Sequence, residues 1–331
     1  MKKTIYVFSD GEFHRKGNTL YFETKEGNKK YLPVENINEI MVMGEVNLNK
    51  RFLEFITQTE ITLHFFNHYG YYIGSFYPRE HYNSGYMILK QAEFYNDERK
   101  RTHLAKKFFN GAVENIEKVL NYYSNRGKKV GNFIKKIIEL KTKVDNCNSI
   151  EEIMAIEGNI REYYYSSFDI ILEDEDFVFE RRSRRPPRNR LNTLISFGNS
   201  LLYVAVLSEI YKTHLDPRIG FLHTTNFRRF TLNLDVAEIF KPIIVDRIIF
   251  TLVNKKMIQQ KHFEEKLGGL VLKKKGRQIF VEEFDNRLKT TIKHKNLGRN
   301  VSYRRLVRME LYKIEKHLIG EEEYKPFVSG W

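Results

Sequence analysis

The sequence runs to 331 residues with 41% hydrophobic and 14% aromatic content, which excludes a disordered chain and suits two domains at the usual size of roughly 100–200 residues each. Lys and Arg number 56 against 42 Asp and Glu, a net charge of +14; this favours polyanionic partners without choosing between nucleic acid, acidic lipid and plain solubility. The single cysteine, Cys147, excludes an internal disulfide and a cysteine-rich zinc site, so a cytoplasmic location is expected.

The start, MKKTIYVFSDG, has too short an apolar run for a signal segment. No stretch is read as a membrane helix: IIVDRIIFTLV is broken by Asp246 and Arg247, and about 20 apolar residues are needed. No membrane partner is expected.

Short β-branched and aromatic runs separated by turn residues fill the first eighty positions: TIYVFS (4–9), TLYFET (19–24), KYLPV (30–34), EIMVMG (39–44), ITLHFFN (61–67) and YYIGSFYP (71–78). They predict strands, with KEGNK as a hairpin loop and NKRFLEFITQTE as one short helix. From about residue 85 the period becomes 3.6, with Leu104, Phe108, Val113, Ile116 and Leu120 recurring at helical intervals. The fold class expected is therefore α+β: a small N-terminal β domain over 1–80, a linker at 81–85 and a larger all-helical domain over 86–331. The Pro, Asn, Ser and Gly of PREHYNSG mark the boundary.

Three segments carry candidate chemistry. In SIEEIMAIEGNIREYYYSSF (149–168), Ser149 and Glu152 form a capping box that fixes the phase of the helix. Glu157 then falls on the apolar stripe with Ile153, Ile160, Tyr164 and Phe168, while Glu162 falls off it. A buried carboxylate costs several kcal/mol unless paired or metal-bound, so Glu157 either meets an arginine of a neighbouring helix or serves a site. Gly158, a costly residue inside a helix, marks close approach of something.

In GFLHTTNFRRFTLNLDVAEIFKP (220–242), Asp235 and Glu238 share a helix face, and both acids suit a helix start. Pro242, lacking an N–H, starts or kinks a helix there. His223 reads as a loop residue, more often a surface group than a ligand. One histidine with two or three carboxylates is a mixed nitrogen and oxygen set suited to Mg²⁺ or Mn²⁺, although the spacing matches no recognised metal motif.

FERRSRRPPRNRLNTL (179–194) places Arg181, Arg182, Arg184, Arg185, Arg188 and Arg190 around Pro186-Pro187, which forbids a continuous helix. A preset arginine loop suits bidentate pairing with phosphates; the alternative is a solvated charge run. LKKKGRQ (272–278), RLKTTIKHK (287–295) and YRRLVR (303–308) extend the basic bias over predicted hairpin or helix surfaces.

IEGNIREYYYSSF, RRSRRPPRNRLNTLISFGNSLLY and GFLHTTNFRRFTLNLDVAEIFKP, in that order behind a small β domain, resemble the CRISPR-associated spacer-acquisition integrases, the universal adaptation nucleases of CRISPR systems, over essentially the whole chain. The resemblance implies a divalent metal, Mg²⁺ or Mn²⁺, on Glu157, His223 and Glu238, with Asp235 beside it; the last position carries Glu where many relatives carry Asp. It implies insertion of prespacer DNA at the ends of CRISPR repeats, a homodimer joined through the β domains, and a dimer of a small ferredoxin-like adaptation protein. Double-stranded and branched DNA are the implied substrates. By their charge, Arg181–Arg190, with Arg228 and Arg229 and the Lys and Arg after 272, would then track phosphates. The alternatives left by composition are a noncatalytic nucleic-acid-binding scaffold and a metal-dependent RNA-processing nuclease.

Overall fold

The computed structural model describes residues 2–78, 82, 84–184, 186–225, 230–266, 268–294 and 297–330. The chain divides into two compact units, residues 1–81 and 82–331.

Among the described residues, the first unit holds two four-stranded sheets where a single small sheet was expected. One is built from β1 (Lys3–Val7), β5 (Ile37–Val42), β7 (Thr62–Phe66) and β8 (Tyr72–Phe76); the other, in order β4-β3-β2-β6, from Lys29–Leu32, Thr19–Thr24, Gly11–Lys16 and Val46–Asn47. Strand β2 escaped the sequence reading because GEFHRK is mostly polar, with only Phe13 turned inward. Yet Phe13 is fully buried, stacked on Phe52 of helix α1 (Lys50–Gln58) at 4.9 Å between ring centres. The core of this unit joins both sheets and α1 through Phe13, Leu20, Ile40, Phe52, Ile56 and Leu63.

The second unit is mainly helical. Helix α2 (Gly85–Asn96) and the long α3 (Glu98–Ser124) are separate because Asp97, in extended conformation, caps α3 by accepting from the amides of Arg99 and Lys100. There follow α4 (Gly131–Thr142), α5 (Ile150–Ser166), the short α6 (Phe168–Leu172), α7 (Arg190–Ile210) and α8 (Leu232–Phe240). A π-helical turn over Pro242–Asp246 leads into α9 (Arg247–Asn254), then α10 (Lys274–Lys289) and α11 (Tyr303–Leu318). Pro242 thus neither starts nor ends the helical path but widens it, the wider turn accommodating a ring that has no N–H to give.

The unit is not all-helical. Among the described residues two antiparallel hairpins interrupt it, β9 (Phe263–Lys266) with β10 (Gly269–Leu272) and β11 (Thr291–Lys293) with β12 (Asn300–Ser302). Their strands are three or four residues long, too short for periodicity to register.

Helix α7 is long and apolar enough to cross a membrane by length and composition, a stretch the sequence reading passed over; 83% of its most apolar window is buried inside the structure. It is the central helix of this unit. The final segment, residues 321–330, lies extended against α3, α8 and α11. Asn115 of α3 donates to the carbonyls of Ile239 and Phe327 and accepts from the amide of Ser329, while Glu310 of α11 accepts from the Tyr324 hydroxyl at 2.6 Å.

The capping box that phases α5 is present in full: Ser149 Oγ accepts from the Glu152 amide at 3.3 Å, and Glu152 accepts from the Ser149 amide at 3.4 Å. Ser149→Ala is expected to lower stability by about 1 kcal/mol, read as a fall of a few degrees in thermal unfolding followed by circular dichroism.

Candidate metal centre

Glu157 sits at the middle of α5 with its side chain 17% exposed. Four residues on, one turn along the same helix, Arg161 donates from Nε to Glu157 Oε1 at 2.8 Å and pairs through Nη2 with Glu238 Oε2 of α8. The arginine expected on a neighbouring helix is therefore on Glu157's own helix, and it joins Glu157 to a second carboxylate. Lys241 completes the group, pairing through Nζ with the other oxygen of Glu238. Burial alone would raise the Glu238 carboxyl, but Lys241, Arg161 and His223 hold it down at about 2. Arg161 and Lys241 are themselves pushed above their ordinary values, burial being outweighed by Glu238.

His223 stands on the loop that precedes α8, and Asp235 explains its position. The fully buried Asp235 carboxylate accepts from three successive backbone amides: Phe221 at 2.5 Å and Leu222 at 3.0 Å on Oδ2, and His223 at 2.8 Å on Oδ1. The same Oδ1 meets His223 Nδ1 at 2.8 Å. A side chain on Gly220 would collide with this arrangement, since a Cβ there would lie 2.8 Å from Asp235 Oδ2 and 2.7 Å from the Thr231 carbonyl carbon. Arg101 of α3 fixes the loop from the other side, donating from Nε to the Phe221 carbonyl at 3.0 Å. Burial would depress the His223 imidazole, but the hydrogen bond and charge of Asp235 raise it above its ordinary value.

Asp235 and Glu238 are thus neighbours on α8 with different work. Only Asp235 lies in the helix's first turn. Its oxygens are spent on the loop and the imidazole, whereas Glu238 faces α5. Among the described residues no three His, Cys, Asp or Glu side chains stand together as a ready cage for a metal ion, because the cations of Arg161 and Lys241 hold the glutamates. The donor chemistry nevertheless fits a divalent ion. Nδ1 of His223 is turned to Asp235, which leaves Nε2 on the far side of the ring, and an imidazole held from behind by a carboxylate is the usual arrangement of a ligating histidine. Glu157 and Glu238 supply oxygens from the two facing helices.

Arg161 and Lys241 were missed in the sequence, although their spacing announced them: a basic residue three or four positions after each glutamate, on the same face. Asp246 was read only as a break in an apolar run. It is fully buried at the end of the π-helical turn, and neither of its oxygens completes a hydrogen bond among the described residues. Burial raises its carboxyl to about 7, against the pull of the Arg161 and Lys241 charges.

Of the arginine cluster, Arg185 lies outside the described residues, as do Arg228 and Arg229. Arg182 is tied into the protein, donating to Asn192 Oδ1 at 2.8 Å and Ser196 Oγ at 3.0 Å; Arg190 opens α7 and donates to the Asp176 carbonyl at 3.2 Å. Arg181, Arg184 and Arg188 are exposed. The described residues of their loop are pinned to the protein: the Pro187 carbonyl accepts from the Leu270 amide at 2.8 Å, the Arg188 amide donates to Ser183 Oγ at 2.9 Å, and Asn192 donates to the Arg181 carbonyl at 2.8 Å.

Residues 5–286 match the family described as CRISPR associated protein Cas1. Over 331 residues the chain is 66% identical to "CRISPR-associated endonuclease Cas1 2" of Thermodesulfovibrio yellowstonii, all of both chains being covered. With "CRISPR-associated endonuclease Cas1" of Thermotoga maritima it shares 51% over 322 residues, 97% of this chain and 98% of the relative. A solved CAS1 protein from Thermotoga maritima superposes with a TM-score of 0.89 at 50% identity, covering 98% of this chain and 99% of that one. A casposase bound to integration product has the same TM-score of 0.89 at 22% identity, over 99% of this chain and 94% of that one, a likeness of fold.

Asp246 generates a stability prediction. In the unfolded chain it ionises near pH 4, while the folded protein keeps its proton to about 7. Its contribution is complete below about pH 4 and is lost as the pH rises through 7. Asp246→Asn does not titrate, so its melting temperature minus that of the parent should grow from pH 4 to pH 7 and then level off in calorimetry; a constant difference would refute the assignment.

Proposed function

The chain belongs to the Cas1 family of CRISPR-associated proteins, and on that premise we propose that it is a metal-dependent DNA endonuclease and integrase of CRISPR adaptation. In this reading the 3′-hydroxyl of a prespacer strand attacks a phosphodiester at the edge of a CRISPR repeat. A new P–O bond to the prespacer forms as the bond to the 3′-oxygen of the repeat strand breaks, and the proton of the attacking hydroxyl ends on that leaving oxygen through solvent. With water as nucleophile the same site cuts DNA.

The observation that carries this reading is the meeting of Glu157 and Glu238 on Arg161 beside the His223–Asp235 pair. A Mg²⁺ or Mn²⁺ ion on Glu157, Glu238 and His223 Nε2 would supply stabilisation of the charge that develops on the phosphoryl oxygens. Asp235 keeps His223 in the tautomer that leaves Nε2 free for ligation. Arg161 and Lys241 hold Glu238 ionised whether or not a cation is bound, so this oxygen ligand need lose no proton on loading. The buried carboxylates also count against a bare nucleic-acid scaffold, which gains nothing from negative charge held inside a basic protein.

The exposed Arg181, Arg184 and Arg188, on a loop pinned to the protein, are placed by this reading along DNA phosphates, with Arg185, Arg228 and Arg229. The partners proposed are double-stranded and branched DNA, CRISPR repeat DNA, a second copy of the chain, and a dimer of a small ferredoxin-like adaptation protein, all in the cytoplasm.

The deciding experiment is strand transfer of a labelled short duplex into a supercoiled plasmid bearing a CRISPR repeat, with the partner protein and Mg²⁺ or Mn²⁺. Joined product is expected from the parent protein and a loss of about 100-fold or more from Glu157→Ala, His223→Ala and Glu238→Ala, with DNA binding retained. DNA binding without joining or cutting under either metal would return the scaffold reading. For the arginine loop, Arg184→Ala/Arg188→Ala should make the slope of log affinity against log salt shallower by about 2 if both meet phosphates, measured by fluorescence anisotropy; an unchanged slope removes the loop from the DNA path.

A further inference from the structure

Gly158 stands in the middle of α5, directly after Glu157, where glycine is the poorest helix former apart from proline. A glycine is kept at such a place for its backbone conformation or for close packing. Gly158 is not among the residues of positive φ. Nor does packing demand it: a Cβ built there meets nothing within 4 Å, and the residue is exposed.

The other glycines well inside helices, among the described residues, behave differently. A Cβ on Gly111 of α3 would lie 2.5 Å from Pro326 Cβ, and one on Gly198 of α7 would lie 2.6 Å from Val245 Cγ1. Those two are bare because the protein presses against them. At Gly158 nothing of the chain does, and the position directly follows a carboxylate whose side chain is 17% exposed. The next residue, Asn159, is also exposed, an uncharged hydrogen-bonding group of the kind that meets phosphate oxygens.

We propose that the DNA backbone passes in contact with α5 at Gly158, the missing side chain being what lets a phosphodiester come down to Glu157. The proposal rests on the DNA-joining and DNA-cutting activity read above, and it makes Gly158 a determinant of substrate approach. Any side chain here stands in the path, while none of the protein's own contacts is lost.

The test compares the parent with Gly158→Ala and Gly158→Leu in three measurements: cleavage of a branched DNA with Mn²⁺, Mn²⁺ affinity by calorimetry without DNA, and thermal unfolding. Both variants are expected to melt about 2–4 °C higher and to bind Mn²⁺ as the parent does. Cleavage should fall several-fold for Ala and about 100-fold for Leu, the scale of a displacement of roughly 1 Å at the reacting atoms. Parental cleavage by Gly158→Leu would overturn the proposal. So would a lower melting temperature or weakened Mn²⁺ binding in either variant, since the glycine would then serve the fold or the metal centre. A parent protein that neither cuts nor joins DNA would remove the functional reading, and this proposal with it.

Discussion

Arg161 joins two helices that are nearly eighty residues apart in sequence by giving one guanidinium edge to Glu157 of its own helix and another nitrogen to Glu238 of α8. All three side chains are buried or nearly so, and taking charge out of water costs several kcal/mol per ion unless geometry restores it. The planar fork of arginine can meet two carboxylates at once where lysine offers a single point charge. Arg161 therefore ties α5 to α8 at this point and sets how the two glutamates approach one another. Lys241 balances the second charge on Glu238, so the cluster is close to neutral before any external ion is considered.

Behind this ionic layer lies one that is only partly satisfied. Asp246, Tyr164 and one terminal nitrogen of Arg161 are buried with polar atoms that complete no hydrogen bond among the described residues. The π-helical turn brings Asp246 there. Turns of this kind occur often beside functional sites, and here the widened backbone places an acid at the back of the arginine on which both glutamates depend.

Much of this was legible in the sequence, for reasons that can be traced residue by residue. Ser149 and Glu152 gave the phase of α5, and the phase put Glu157 on the inner stripe, where it lies. GFLH followed by Asp235 gave the loop and its acid, though not the division of labour: nothing in a spacing of twelve residues tells that a carboxylate will collect three backbone amides and an imidazole. Strand β2 was hidden because its polar residues outnumber its single inward phenylalanine. The basic segments left hairpin and helix both open, and strands of three or four residues were too short for periodicity to choose. Arg161 and Lys241 were open to detection by helical spacing, but reading the carboxylates one at a time left their counter-charges unsought. In the arginine loop, composition gave the number of charges while structure alone separates Arg182 and Arg190, which brace the fold, from Arg181, Arg184 and Arg188, which face solvent.

The extended segment 321–330 closes over the back of α8, where Asn115 holds the carbonyls of Ile239 and Phe327 together and Glu310 receives the Tyr324 hydroxyl and the Phe327 amide. Without that segment, Asn115 and Glu310 lose partners for polar groups that are otherwise buried, each at a cost of about 1–3 kcal/mol. Asn115 thus couples the end of α8, the helix that carries Glu238, to a distant stretch of the chain. Order at the candidate site is therefore shared with residues 321–330, through one asparagine on α3.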